Sequence, residues 1–90
     1  MLSQYSNIEI KKKDVALTTD GNGTAKTDLN ADDFVLLQIS LRENSYYKCV
    51  PILNGSSGNT WWIAVTDLFG SVVKNKLVNF TLYYQYISKD

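Results

Sequence analysis

Between Val78 and Tyr86 every second residue is apolar or aromatic: Val78, Phe80, Leu82, Tyr84 and Tyr86 alternate with Asn79, Thr81, Tyr83 and Gln85. A period of two places one set on each side of an extended strand, whereas a helix needs apolar positions three and four apart. This run therefore has to be a strand with one face in a core. The run from Gly58 to Asp67 is equally rich in β-branched and aromatic residues, the composition that suits a half-buried pleated surface. Adjacent strand residues point to opposite faces. Trp61 shares its parity with Ile63 and Val65 and is the core candidate, while Trp62 goes outward with Ala64 and Thr66.

The rest of the chain reads as further short strands between turns. Ile8 and Ile10 lie on one parity and Val15 and Leu17 on the other, so a bulge or break near Lys12–Asp14 is predicted. Asp20-Gly21-Asn22-Gly23 is the strongest turn, because Asp-Gly and Asn-Gly favour positive φ; it predicts a hairpin joining Val15–Thr19 to Thr24–Leu29. Asn30-Ala31-Asp32-Asp33 predicts a corner, a single helical turn capped by Asn30. Phe34–Leu37 is apolar on both parities, which predicts a central strand. After a turn at Arg42–Ser45, the strand Tyr46–Leu53 carries Pro51, a mark of an edge or a bulge, and the loop 54–59 follows. This spacing predicts an all-β fold, an antiparallel β-sandwich or jelly-roll-like barrel of seven or eight short strands. Residues 1–90 form one domain in this reading, with 1–7 as a flexible or docking arm.

The chemistry that the chain carries is sparse. It has no histidine, so the commonest general base, zinc ligand and near-neutral pH switch are all missing. Cys49 is the only cysteine, which excludes an internal disulfide and, in its apolar setting, reads as a small buried hydrophobe. Nine basic and nine acidic residues give a formal net charge of zero, so no nucleic-acid partner is expected. Lys11-Lys12-Lys13 reads as a solvated strand edge that discourages sheet-to-sheet pairing. Met1–Asn7 lacks the basic start and apolar stretch of a secretory signal, and no run is long enough to insert in a membrane.

Asp20, Asn22, Asp28, Asn30, Asp32 and Asp33 suggest calcium, but the twelfth position counted from Asp20 is Ala31, where an EF-hand needs a bidentate Glu. Turn chemistry accounts for these residues. Asp32, Asp33 and Asp67 make no recognisable glycosidase pair. Neither metal nor cofactor is expected, and the chain is read as not an enzyme. Asn22-Gly23-Thr24, Asn54-Gly55-Ser56 and Asn79-Phe80-Thr81 match the glycosylation pattern and, without a secretory signal, are taken as chance matches.

What remains is recognition. Trp62, Tyr46, Tyr47 and Tyr83 are candidates for binding a glycan or a protein, since Tyr and Trp offer a rigid apolar face with a polar tip. Each has a plainer reading as well: Trp62 covering a sheet face or packing on another copy, the tyrosines as core residues with their hydroxyls at the rim. The off-face of the last strand, Thr81, Tyr83 and Gln85, is the candidate for self-association.

The order of Val15–Ala25, a polar corner, an apolar strand, Tyr47-Lys48-Cys49-Val50-Pro51, a Gly/Ser loop, Thr60-Trp61-Trp62-Ile63 and Val78–Tyr84 resembles the small β-rich terminal domains of bacteriophage and prophage tail-fibre and receptor-binding proteins. The resemblance implies a knob, usually a homotrimer on the virion, that contacts a host-cell glycan or protein or another virion protein. The ninety residues hold no fibrous shaft, so the expectation is a stand-alone virion component, a fragment, or a short relative that docks onto another protein. Two alternatives stand beside it: a monomeric carbohydrate-binding or adhesive module, and a small phage-encoded inhibitor that pairs an exposed strand with a host protein.

Overall fold

The structure, a computed structural model, describes residues 9–42, 46–53 and 59–87. The expected arm (1–7), Ile8, residues 43–45 of the Arg42–Ser45 turn and most of the loop 54–59 lie outside them. Six strands run in chain order: β1 (Lys11–Thr18), β2 (Thr24–Asn30), β3 (Phe34–Leu41), β4 (Tyr47–Leu53), β5 (Thr60–Asp67) and β6 (Leu77–Tyr86). They form two antiparallel three-stranded sheets, the first ordered β1-β6-β3 and the second β2-β5-β4. The described strands number six and not the seven or eight expected, because 9–10 and 68–76 run as connections and not as strands. No helix among the described residues is long and apolar enough to cross a membrane.

Period-two patterning explains the core. Val78, Phe80 and Leu82 of β6 are buried together with Leu36 of β3, and Leu29, Ile63 and Val65 of the second sheet belong to the same cluster. Val73, from the β5–β6 connection, completes it. Each such side chain contributes about 1.5–3 kcal/mol when fully removed from water. Trp61 packs on this cluster from the inward parity of β5, as the alternation required, and its indole N–H donates to the Phe34 carbonyl of the other sheet at 2.9 Å.

The Asp20 turn differs from its reading. It closes locally, with Gly23 N–H donating to the Asp20 carbonyl at 3.1 Å and Asp20 N–H to the Thr24 carbonyl at 2.9 Å. β1 then pairs with β6 and β2 with β5, so the turn is a corner between sheets and not the end of a hairpin. Turn residues fix the reversal; the partner is chosen by which sheet needs the apolar face.

Of the bulge or break expected near Lys12–Asp14, no bulge is found: β1 holds one continuous register from Lys11 opposite Tyr84 to Thr18 opposite Leu77, and the strand simply begins after Ile10. Lys11 and Lys13 take the inward parity of Val15 and Leu17, which long side chains tolerate at a sheet's end by extending their charges outward. The Lys13 ammonium reaches Asp28 of β2 and lies 5.7 Å from the Tyr84 ring centroid. Ile10, left beyond the strand, is exposed.

β3 is an edge and not a central strand: its inward Leu36 is buried while Val35 and Leu37 stay exposed. The Asn30–Asp33 corner is a turn without a helix, but Asn30 does cap it, accepting the Asp32 N–H on its side chain at 2.8 Å. Pro51 sits on edge strand β4, as its missing N–H requires. β2 and β3 each carry a register shift against their central partners, at Lys26/Asn30 and Leu36/Gln38. In β2 the buried Thr27 fills the gap, its hydroxyl donating to the Trp61 carbonyl at 2.7 Å and accepting the Leu29 N–H at 3.1 Å.

Candidate functional site

Parity and register place every candidate side chain. On the outer face of the first sheet, central strand β6 presents Asn79, Thr81, Tyr83 and Gln85, all half-buried. Tyr83 stands between Lys12 of β1 and Gln38 of β3, Thr81 between Asp14 and Ser40, and Gln85 opposite Val35. The Thr81 hydroxyl donates to Asp14 Oδ1 at 2.7 Å, and Arg42 Nε lies 4.0 Å from the same oxygen. The Arg42 N–H donates to the Asn79 carbonyl at 3.1 Å and holds that corner of the face. This is a strand-built surface of amides, hydroxyls and charges with one tyrosine at its centre. The structure thus brings Thr81, Tyr83 and Gln85 together.

It does not unite the four aromatic candidates. Trp62 lies on the outer face of the second sheet, opposite Lys26 and Ile52 and beside Ala64. Its indole N–H is buried with no hydrogen-bond partner among the described residues. Tyr47 takes the inward parity of β4, where it is half-buried and, like Cys49, packs against the core cluster. Tyr46 is 70% exposed just ahead of β4, at one end of the second sheet.

That end carries what sequence reasoning missed. Leu68 is 49% and Phe69 95% exposed, at the tip of the turn after β5. Asp67 holds the tip: its Oδ1 accepts the Phe69 and Ser71 N–H groups at 2.9 and 3.0 Å, while its carbonyl accepts the Gly70 N–H at 3.2 Å. Gly70 has φ 90, so the fourth residue of the turn is left-handed. The Asp20 corner is built the same way. Asp20 Oδ1 accepts the Asn22 and Thr24 N–H groups at 2.9 and 3.0 Å, Oδ2 accepts the Thr24 hydroxyl at 2.7 Å, and Gly23 has φ 76. The available signal was the spacing Asp-x-x-Gly-Thr/Ser, present at Asp20–Thr24 and again at Asp67–Ser71.

The two corners meet. Val65 N–H donates to the Gly23 carbonyl at 2.8 Å and Val73 N–H to the Val65 carbonyl at 3.0 Å. Buried Thr19 closes the junction, its N–H donating to the Lys76 carbonyl at 2.8 Å and its hydroxyl accepting the Lys76 N–H at 3.0 Å.

Electrostatics follows from the same bonds. The Thr24 N–H, then the Thr24 hydroxyl and the Asn22 N–H, stabilise the Asp20 carboxylate and lower its pKa. Burial pushes the Cys49 thiol up to about 11, away from a reactive thiolate. The residues that suggested calcium are engaged in other roles. Asp28 pairs with Lys13, Asn30 caps its turn, and Asp32 accepts from Asn59 Nδ2 at 3.0 Å. Among the described residues no group of three or more His, Cys, Asp and Glu side chains is placed to hold a metal ion.

Compared with known proteins, the chain matches no family model, no curated protein and no solved structure.

Proposed function

We propose that this chain is a non-enzymatic attachment domain: a β-sandwich knob of the phage tail-fibre type that acts on the virion as a homo-oligomer, a trimer in the leading form. In this reading the two sheets are the layers of the sandwich and the outer face of the first sheet is the recognition surface. The observation that carries it is Tyr83, centred among Thr81, Gln85, Gln38 and Lys12 on three paired strands, with the register shift of β3 falling next to Gln38. A tyrosine ring offers a flat apolar platform, and the surrounding amides and hydroxyls complement the hydroxyls of a sugar ring. Residues on strands hold such a constellation more rigidly than residues on loops. A single face of this size binds weakly, and several copies on one particle raise the effective affinity for a repetitive cell surface.

The strand-pairing inhibitor is the less favoured reading, since each sheet edge carries an obstruction: three lysines on β1, register shifts in β2 and β3, and Pro51 in β4. The monomeric carbohydrate module shares the recognition face and differs only in oligomeric state.

The test is binding of the labelled chain to candidate host cells and to immobilised bacterial glycans. Saturable binding that weakens roughly tenfold in Tyr83→Ala, the loss of about 1.4 kcal/mol of aromatic contact, is expected. Binding by Tyr83→Ala equal to that of the original chain would refute the face.

A further inference from the structure

We infer that Asn22 is a modification site gated by the Asp20 corner: its side-chain amide is converted to a carboxylate by attack of the next backbone nitrogen, and the closed corner withholds that nitrogen. The inference is independent of what the outer sheet faces bind. Asn22 precedes Gly23, and a glycine, having no side chain, leaves its own nitrogen unhindered. The reaction needs no partner but water. The Gly23 nitrogen loses its proton and bonds to Asn22 Cγ, the Cγ–Nδ2 bond breaks, and ammonia leaves with a proton taken from solvent. Water then opens the resulting cyclic imide at either carbonyl. One product is aspartate; the other is isoaspartate, in which the chain runs on through Cγ and is longer by a single carbon.

The structure holds the two reacting groups apart. Asn22 is exposed, and its side chain makes no hydrogen bond among the described residues, so the electrophile is open to water. The nucleophile is not. Gly23 is buried, its N–H is donated to the Asp20 carbonyl at 3.1 Å, and its own carbonyl accepts the Val65 N–H at 2.8 Å. It is therefore bonded to the turn on one side and to β5 on the other. Swinging its nitrogen onto Asn22 Cγ breaks the first bond and disturbs the second. Asn22 is pinned as well, since its N–H donates to Asp20 Oδ1 at 2.9 Å. The same carboxylate accepts the Thr24 N–H and hydroxyl at 3.0 and 2.7 Å, so Asp20 grips the chain on both sides of the reacting pair. Asp20 itself precedes Gly21, but an aspartate cyclises through its neutral carboxyl, and the donors around this one keep it ionised.

Conversion at Asn22 thus proceeds from the open corner, at the intrinsic rate multiplied by the fraction open. The product also resists reclosure. A new carboxylate at position 22 stands beside that of Asp20, to which it is joined by the Asn22 N–H. The extra carbon of isoaspartate pushes on Gly23, where an added Cβ would already stand 2.7 Å from the Val72 Cβ. A transient opening is recorded covalently.

Peptide mapping by mass spectrometry of the full chain, incubated in mildly alkaline buffer with and without denaturing urea, tests it. Conversion of Asn22 at least roughly tenfold slower in the folded chain than in urea is expected. Thr24→Ala removes the hydroxyl held by Asp20 and should speed conversion in the folded chain by roughly fivefold, the worth of one hydrogen bond, while Thr24→Ser restores the original rate. Asn54-Gly55, the same pair elsewhere in the chain, is read in the same digests as a reference that Thr24→Ala leaves unchanged. The separated isoaspartate form should unfold at a lower urea concentration than the unmodified chain. Equal Asn22 rates with and without urea would overturn the gate. So would a Thr24→Ala variant that converts at the original rate, or one in which Asn54 speeds up equally, the mark of global loosening. An isoaspartate form as stable as the original would overturn the block to reclosure.

Discussion

Alanine substitutions at three glycines separate backbone strain from crowding in this fold. Gly70 has φ 90 and nothing within 4 Å of where a Cβ would stand, so Gly70→Ala carries the left-handed backbone cost alone, about 1–2 kcal/mol. Gly23 has φ 76 and therefore the same cost. A Cβ there would also stand 2.7 Å from the Val72 Cβ, 3.1 Å from the Val65 carbonyl oxygen and 3.2 Å from the Val73 nitrogen. Carbon atoms prefer about 3.5–4.0 Å, and two of these three neighbours are backbone atoms whose movement disturbs the bonds joining the corners. Overpacking of this kind adds about 1–3 kcal/mol, so Gly23→Ala is expected to lose about 2–5 kcal/mol in all. Gly21 lies outside the left-handed region with open space around it, and Gly21→Ala is expected to stay within about 0.5 kcal/mol of neutral or to stabilise slightly. Urea unfolding followed by Trp61 and Trp62 fluorescence reads all three. In a domain of this size each kcal/mol moves the melting temperature by about 4–8 °C, so the ordering is also visible by calorimetry. Equal losses at Gly23 and Gly70 would refute the crowding against Val72, and a neutral Gly23→Ala would refute the corner altogether.

Three further outcomes follow from the bonds described. The Asp20 pKa is lowered in the folded protein, so its contribution is present above the unfolded value near 3.9 and is lost as pH falls through the folded one; stability measured from pH 5 to pH 2 should decline less steeply in Asp20→Asn. Trp61→Phe keeps most of the packing but removes the N–H donated to the Phe34 carbonyl, and should cost about 1–3 kcal/mol in urea unfolding because a carbonyl between the sheets loses its partner. Cys49, with its thiol raised to about 11, should react with a disulfide reagent at pH 7.5 at least tenfold more slowly in the native protein than in urea.

Parity was the readable part of this chain. β6 and β5 have a clean two-residue period, and from it the inward Phe80, Leu82, Ile63 and Val65 follow, as do the outward Trp62 and Tyr83. Pairing was not readable, because it depends on contacts distant in sequence. Asp20–Thr24 has the chemistry of a tight reversal whether the flanking strands join each other or go to different sheets. Phe34–Leu37 is apolar on both parities and read as central, yet β6 takes the centre and leaves Val35 and Leu37 exposed. The face around Tyr83 was half visible: its β6 residues came from alternation, but Gln38, Ser40 and Asp14 join it only through register. Leu68 and Phe69, two apolar residues between an aspartate and a glycine, carried no signal of exposure except the turn spacing around them.

The position of β6 has a consequence for how the chain is made. It is the last of the described strands and the middle strand of the first sheet, hydrogen-bonded to β1 on one side and β3 on the other. During synthesis the second sheet has all its strands once Asp67 has left the ribosome, while β1 and β3 have no partner until residues 77–86 follow. Until then Val15, Leu17, Leu36 and Ile39 have no ladder to hold them against the core, and a nascent chain stopped before Leu77 presents them to chaperones and proteases. The segment that closes the fold is thus also a checkpoint on the first sheet, since only chains translated through Tyr86 acquire that sheet and the outer face around Tyr83.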